Sequence, residues 1–342
     1  MNYTDFRDVI NRKLGKVNRL RPLFEFAQGL DFGTRYVCHR FLGLDAKSAS
    51  TREIYVEWVN YCNLRCSFCA LNHEMVKTRM SSETWSYLLN ELIYDKRFKN
   101  VELMHLHNGG ETLLHPKFSE LLFVLDEKKI EARENKKKFP KVELLTNGML
   151  LDGKHRSAIL NSSAIDSVGL SMDGGSPEAY ESMRKRAKWS VFYPQVKAFL
   201  EENAALAKPK AIFIISVLPT TEMLEKKDFH PEFAEILYLC PSYELRLAHD
   251  WGGQVDLEGI ETGRRSKPWK WGCSMMLDQL VVMPNGDVSI CCNDLNAKAV
   301  VANIHENGLY AAYHSPMRQQ WLNSMARNRS SDIPLCASCE RF

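Results

Sequence analysis

The sequence contains no long hydrophobic run. Its longest apolar stretches, such as Ala211–Leu218, fall far short of the ~20 residues that cross a bilayer. The opening residues Met1-Asn2-Tyr3-Thr4-Asp5-Phe6-Arg7-Asp8 show no basic-then-apolar pattern, so no secretory signal is visible. A soluble, cytoplasmic protein with no membrane partner is expected. Charge of one sign is equally scarce. Lys plus Arg number 45 and Asp plus Glu 42, and a net charge of +3 gives no case for nucleic-acid binding. Internal repeats and low-complexity segments are absent. Apolar residues at 45% and charged residues at 25% exclude global disorder. A length of 342 residues suits one large domain or two unequal ones, with room for a sizeable core.

What the chain does have is ten cysteines, and they are grouped. Without a secretory signal they should be thiols or metal ligands rather than a disulfide framework. Cys62, Cys66 and Cys69 form a tight trio. Cys273, Cys291, Cys336 and Cys339 fall late, and Cys38, Cys240 and Cys292 remain.

The chain between these groups alternates. Residues 1–50 read as a helical extension broken by Pro22 and several glycines. Residues 51–251 read as six strand–helix units, with strands at 54–59, 101–107, 141–145, 167–172, 211–217 and 243–247. Ser81 and Ser176, the latter followed by Pro177 and Glu178, are helix starts. Strands alternating with helices imply parallel pairing through right-handed crossovers, as a partial barrel or an open doubly wound sheet. Residues 252–342 change character and read as a separate small module of β-hairpin and helix. There Gln279–Met283, a Pro-Asn-Gly-Asp turn and Val288–Cys291 form a β-hairpin. The lysine-rich run Glu127–Lys138 reads as a solvated helix end or loop.

The trio is spaced Cys-x3-Cys-x2-Cys. Three thiolates on one short loop can hold three irons of a cubane and leave the fourth without a protein ligand. Zinc is the competing metal, but it wants a fourth Cys or His close by, and only His73 is available. This spacing after a first strand, with aromatic Phe68 before the third cysteine, resembles the radical S-adenosylmethionine (radical SAM) superfamily. The likeness extends to Asn108-Gly109-Gly110-Glu111 at the end of the second strand, to Thr146-Asn147-Gly148 after the third and to Ser171-Met172-Asp173-Gly174 after the fourth. It departs only at Thr112, where the family usually has proline. The resemblance implies a partial (β/α)6 barrel with its site at the strand C-terminal ends. It implies a 4Fe–4S cluster on Cys62, Cys66 and Cys69. It also implies that Phe68, Gly109, Gly110, Glu111, Thr146, Asn147, Ser171, Asp173 and Arg184 contact S-adenosylmethionine.

The late cysteines are spaced Cys273-x17-Cys291-x44-Cys336-x2-Cys339, and Cys273-x12-Gly286-x4-Cys291 resembles the opening of SPASM and twitch extensions. The resemblance implies a single second 4Fe–4S cluster, as in twitch-type aminocyclitol dehydrogenases. Cys291 and its neighbour Cys292 compete for one ligand position, and zinc is again the competing metal. Four thiolates leave no open iron, which favours electron transfer and net oxidation of a small polar metabolite, sugar- or aminocyclitol-like. Epimerisation and peptide maturation are the alternative reactions, and an iron–sulfur electron carrier or sensor is the non-enzymatic one. Oxidation needs a base, for which His249 and Asp250 after the sixth strand are ranked first. His105, His107, Glu57 and Arg246 could equally be satisfied polar residues inside the barrel. Epimerisation needs a hydrogen donor, for which Cys292 is the candidate. The substrate and a flavodoxin- or ferredoxin-like reductant are the partners expected.

Overall fold

The structure is a computed structural model that describes residues 30, 32–38, 49–257, 259–263 and 272–339. Of the expected N-terminal helical extension, residues 32–38 are helical, and most of the rest lies outside the described residues.

Six parallel strands follow one another in chain order: β1 (Glu53–Val56), β2 (Leu103–His105), β3 (Lys141–Thr146), β4 (Ser167–Ser171), β5 (Ala211–Leu218) and β6 (Tyr243–Leu247). Helices return the chain between them, chiefly α1 (Ser82–Tyr94), α2 (Phe118–Glu134), α3 (Gly153–Asn161), α4 (Pro177–Met183), α5 (Trp189–Ala204), α6 (Thr221–Lys226) and α7 (Pro231–Leu239). This is the α/β partial barrel expected. The Ser81 hydroxyl accepts from Thr84 N at 3.0 Å, and Ser176 accepts from Ala179 N at 3.2 Å ahead of Pro177, so both helix starts are capped as read. The lysine-rich run lies largely in α2.

The two faces of these strands differ. Ile54, Val56, Met104, Val142, Leu144, Val168, Leu170, Ile212 and Ile214 point outward and are buried under the helices. Such continuous burial is what a parallel sheet covered by helices requires. The opposite face carries Glu53, Tyr55, His105, Glu143 and Ser167 by period-two alternation. Leu103, Leu145 and Phe213 share that face, so the polar residues form a cluster within it.

The tail, expected as a small module of its own, joins the barrel sheet. Strand β7 (Gln279–Val282), preceded by the short helix α8 (Met275–Asp278), pairs in parallel with β1 from Glu53↔Gln279 to Val56↔Val282. The hairpin partner β8 (Asp287–Ser289) and then β9 (Val300–Asn303) extend it antiparallel. One nine-stranded sheet thus runs β9-β8-β7-β1-β2-β3-β4-β5-β6. The strand β9, unforeseen in the sequence, and the helices α9 (Ile304–Tyr313) and α10 (Pro316–Ala326), which supply the helical part expected of this module, close the tail. Inside it Arg318 is fully buried, donating to the carbonyls of Tyr313 and Met276. Among the described residues no helix is long and apolar enough to cross a membrane.

Candidate active site

The first cysteine group lies on the loop after β1. Arg65–Cys66 pairs as a two-residue ribbon with Arg184–Lys185, and Ser67 N donates to Met183 O at 2.9 Å, so the loop is fastened to the end of α4. Leu64 N–H points at the Cys62 sulfur at 3.4 Å, and Leu71 N–H serves Cys69. Burial pushes the thiols up, Cys62 to about 11 and Cys66 to about 12. Soft thiol donors set this close on one loop are the ligand type that iron–sulfur clusters take as thiolates.

The strand-end motifs meet beside this loop. Gly110 passes so close to Val59 that a Cβ there would stand 1.9 Å from the Val59 carbonyl oxygen, which admits no other residue. Gly109 N donates to Glu57 Oε1 at 2.5 Å, and burial raises the Glu57 carboxyl to about 8. The Glu111 carboxylate accepts from Thr146 Oγ1 and from Asn147 N, both at 2.8 Å. It therefore ties the second strand end to the third. Asn147 Nδ2 reaches Asn63 at 2.9 Å and the Cys62 sulfur at 3.7 Å. Buried Arg184 is paired with Asp173, Nε to Oδ2 at 2.5 Å, and its guanidinium lies 5.9 Å from the Phe68 ring. Asp173 also accepts from Val217 N. Ser171 ends β4, half-buried on the same side. Phe68, Gly109, Gly110, Glu111, Thr146, Asn147, Asp173 and Arg184 are thus linked around the trio.

The second group assembles from distant segments. Cys336 senses Cys273 and Cys339, and Cys291 senses Cys273, with their thiols raised. For Cys291 the hydrogen bond to Cys292 is the main cause, and for Cys336 burial is. Gly252, in the left-handed region at φ 79°, packs so that a Cβ would lie 3.2 Å from the Cys339 sulfur. Its neighbour Trp251 donates its indole N–H to Phe68 O at 2.7 Å. The loop after β6 therefore touches both cysteine groups. A second tie comes from Asn296, which donates to Ala70 O and accepts from Asn72 N, each at 2.7 Å. Asp294 orders this stretch by accepting from Ser289, Lys298 and Ala299. Trp251, Asn296 and Asp294 carried no sequence signal, because their partners are set by tertiary packing.

His249 and Asp250 sit on that loop, where His249 Nδ1 accepts from Trp251 N and Asp250 Oδ1 from Gly252 N. These bonds shape the turn. Cys292 reaches the barrel interior, where its thiol and the Tyr55 hydroxyl are hydrogen-bonded partners. Cys240 is buried at the start of β6, bonded to the Ile212 and Ser242 carbonyls and remote from the mouth. Deeper in the barrel, Tyr55 stacks on His105 with ring centroids 4.1 Å apart, and His105 Nδ1 lies 3.0 Å from Glu143 Oε1. Burial opposes ionisation of Glu143, but the His105 bond overrides it and holds the carboxyl below its usual range. Burial, with His105 beside it, lowers His107 to about 3, so His107 is a neutral imidazole.

Residues 56–223 match the model of the radical SAM superfamily, and residues 273–340 match the SPASM iron–sulfur cluster-binding domain. This chain carries a radical SAM domain followed by a SPASM domain. A radical SAM enzyme of this kind takes a 4Fe–4S cluster with S-adenosylmethionine in the first domain and further iron–sulfur ligation in the second. The cysteines fit those groups. Thiolate sulfur is the donor that iron–sulfur clusters take, with three cysteines on the loop after β1 and four in the tail.

A curated relative, the antilisterial bacteriocin subtilosin biosynthesis protein AlbA of Bacillus subtilis (strain 168), is 27% identical over 130 residues. That stretch is 38% of this chain and only 26% of AlbA, about a quarter of its length. Among solved structures, BtrN in complex with AdoMet and 2-DOIA is 16% identical with a TM-score of 0.54, over 84% of this chain and 92% of BtrN. Streptococcus suis SuiB bound to its precursor peptide SuiA is 16% identical with a TM-score of 0.61, over 90% and 74%. Both likenesses are of fold.

Proposed function

We propose that this radical SAM enzyme is a cytoplasmic oxidoreductase that removes two hydrogens from a small polar metabolite, sugar- or aminocyclitol-like. A flavodoxin- or ferredoxin-like protein is its proposed reductant. The observation that carries the reading is the four-cysteine set of Cys273, Cys291, Cys336 and Cys339, gathered near Cys292 and the polar cluster around Tyr55. Four protein thiolates leave no iron for substrate, so that set suits an electron acceptor. The location of Cys291 next to Cys273 supports it over Cys292 as the ligand.

When bound to Cys62, Cys66 and Cys69, the first cluster and S-adenosylmethionine supply an oxidant able to take a hydrogen atom from an unactivated C–H bond. The chain's own groups orient and enclose. Gly109 and Gly110 bring bare backbone to the cluster loop, and Glu111 fixes that backbone against Thr146 and Asn147. Arg184, held by Asp173, offers a buried cation to a carboxylate, with Phe68 beside it, and Ser171 at the end of β4 is a further proposed contact. His249 and Asp250 are the proposed proton acceptors at the mouth.

A specific observation favours a second reading. The Cys292 thiol, hydrogen-bonded with Tyr55 inside the barrel, is placed as a hydrogen donor for epimerisation. A peptide substrate is a third outcome, since AlbA is a bacteriocin biosynthesis protein and SuiB was solved with a precursor peptide. The deciding experiment is mass spectrometry of turnover with candidate metabolites and peptides. Loss of two hydrogens supports oxidation, with Cys292→Ser still active. Solvent deuterium in the product, together with an inactive Cys292→Ser that still cleaves S-adenosylmethionine, overturns oxidation in favour of epimerisation.

A further inference from the structure

We propose that His105, His107 and Glu143 form a site for one divalent transition-metal ion, zinc or ferrous iron, inside the barrel and apart from both cysteine groups. His105 and His107 alternate onto the inner face of β2 and its extension, and the strand register sets Glu143 directly beside His105. Ligand atoms of the three side chains lie within 4.8 Å of one another. Two imidazoles and one carboxylate are a donor set that zinc and ferrous iron share, and it leaves coordination positions open.

Two further observations point to a ligand. Buried polar atoms are ordinarily paired, yet His107 Nδ1 has no hydrogen-bond partner within the protein. His105 itself is only 7% exposed. Beyond the three side chains stands the kind of support that metal ligands carry. With His105 Nδ1 on the ion, its Nε2 keeps the proton and faces Glu53 Oε2 at 4.0 Å. Glu53 in turn accepts from Gln279 Nε2 at 3.0 Å, which ties the site to the tail strand β7. Ser167 Oγ donates to the far oxygen of Glu143 at 3.5 Å, and Tyr55 stacks on the His105 ring. His107 and Glu143 keep partial solvent exposure although they lie inside the barrel, so water has access to the site. The existence of the site is independent of the proposed oxidation. Its role, polarising a substrate hydroxyl, rests on that reading.

The test uses anaerobic holoenzyme with iron analysis showing both clusters in place, so that the thiolates are already occupied. Mn(II), a hard ion with little taste for thiolate, is titrated in, and the free ion is followed by electron paramagnetic resonance. Wild type should bind one Mn(II) per chain, displaceable by Zn(II). His107→Gln and Glu143→Gln should each weaken binding by about tenfold or more, with iron content and circular dichroism unchanged. Absence of saturable Mn(II) and Zn(II) binding to the wild type overturns the proposal, as does equal binding by the variants. If no metal binds but the variants lose turnover, the three side chains contact substrate directly and the metal reading is wrong. Because binding is read without turnover, failure of the oxidation reading leaves this result standing.

Discussion

The two cysteine groups solve one problem in opposite ways. Cys62, Cys66 and Cys69 sit within eight residues of one loop, steadied by backbone N–H groups of that same loop. Cys273, Cys291, Cys336 and Cys339 come from segments as much as 66 residues apart and meet only because β7 to β9 and the turn at Gly252 bring them together. The first arrangement is local and the second is global. In the proposed assignment the first set leaves one iron open to a small molecule, and the second supplies a full set of four ligands.

The sharpest way to break this contrast is Cys66→Ala. It should abolish formation of 5′-deoxyadenosine and lower iron from about eight per chain to about four, as two cubanes become one. Chromatography of the cleavage products together with iron analysis checks it. Persistence of 5′-deoxyadenosine would show that the trio does not hold the reactive cluster. Gly252→Ala comes next. It strains a left-handed φ of 79° and sets a methyl against the Cys339 sulfur, so iron should be lost selectively from the tail while S-adenosylmethionine cleavage survives. Equal loss of iron from both sites would show that they are coupled rather than independent.

The smallest effect concerns Glu57, which bonds the Gly109 turn. Its carboxyl is raised to about 8 in the folded chain, so the native state holds a proton that the unfolded state releases above its ordinary value near 4.5. Stability of cluster-free protein should therefore fall as pH rises from about 5 to about 8, by at most about 1.4 kcal/mol per pH unit. Glu57→Gln should flatten that slope in urea titrations at several pH values. An unchanged slope would place the titrating group elsewhere.

The local half of this design was legible from residue order. Strand alternation, the Ser81 and Ser176 caps and the glycine-bearing strand ends are properties of short windows, and they fell where expected. The other half was hidden because it depends on register. His105 and His107 could be placed on one face, but their meeting with Glu53 and Glu143 needed the order of β1, β2 and β3. For the same reason His249 and Asp250 drew attention as mouth residues, while the adjacent Trp251 and Gly252, which touch the two cysteine groups, did not. In the tail, helix was expected but the positions of α9 and α10 and the strand β9 were not, because the cysteine spacing there carries no periodicity.

The pairing of β7 with β1 carries a consequence of its own. Along Glu53–Val56 the main chain is hydrogen-bonded on both sides, to β2 and to the tail. A barrel truncated ahead of residue 272 would present a bare edge strand with an unpaired row of donors and acceptors, the template on which chains aggregate. Expression of residues 49–263 alone should yield insoluble protein, and the N-terminal half of this enzyme should acquire its final shape only once the last quarter of the chain has been made.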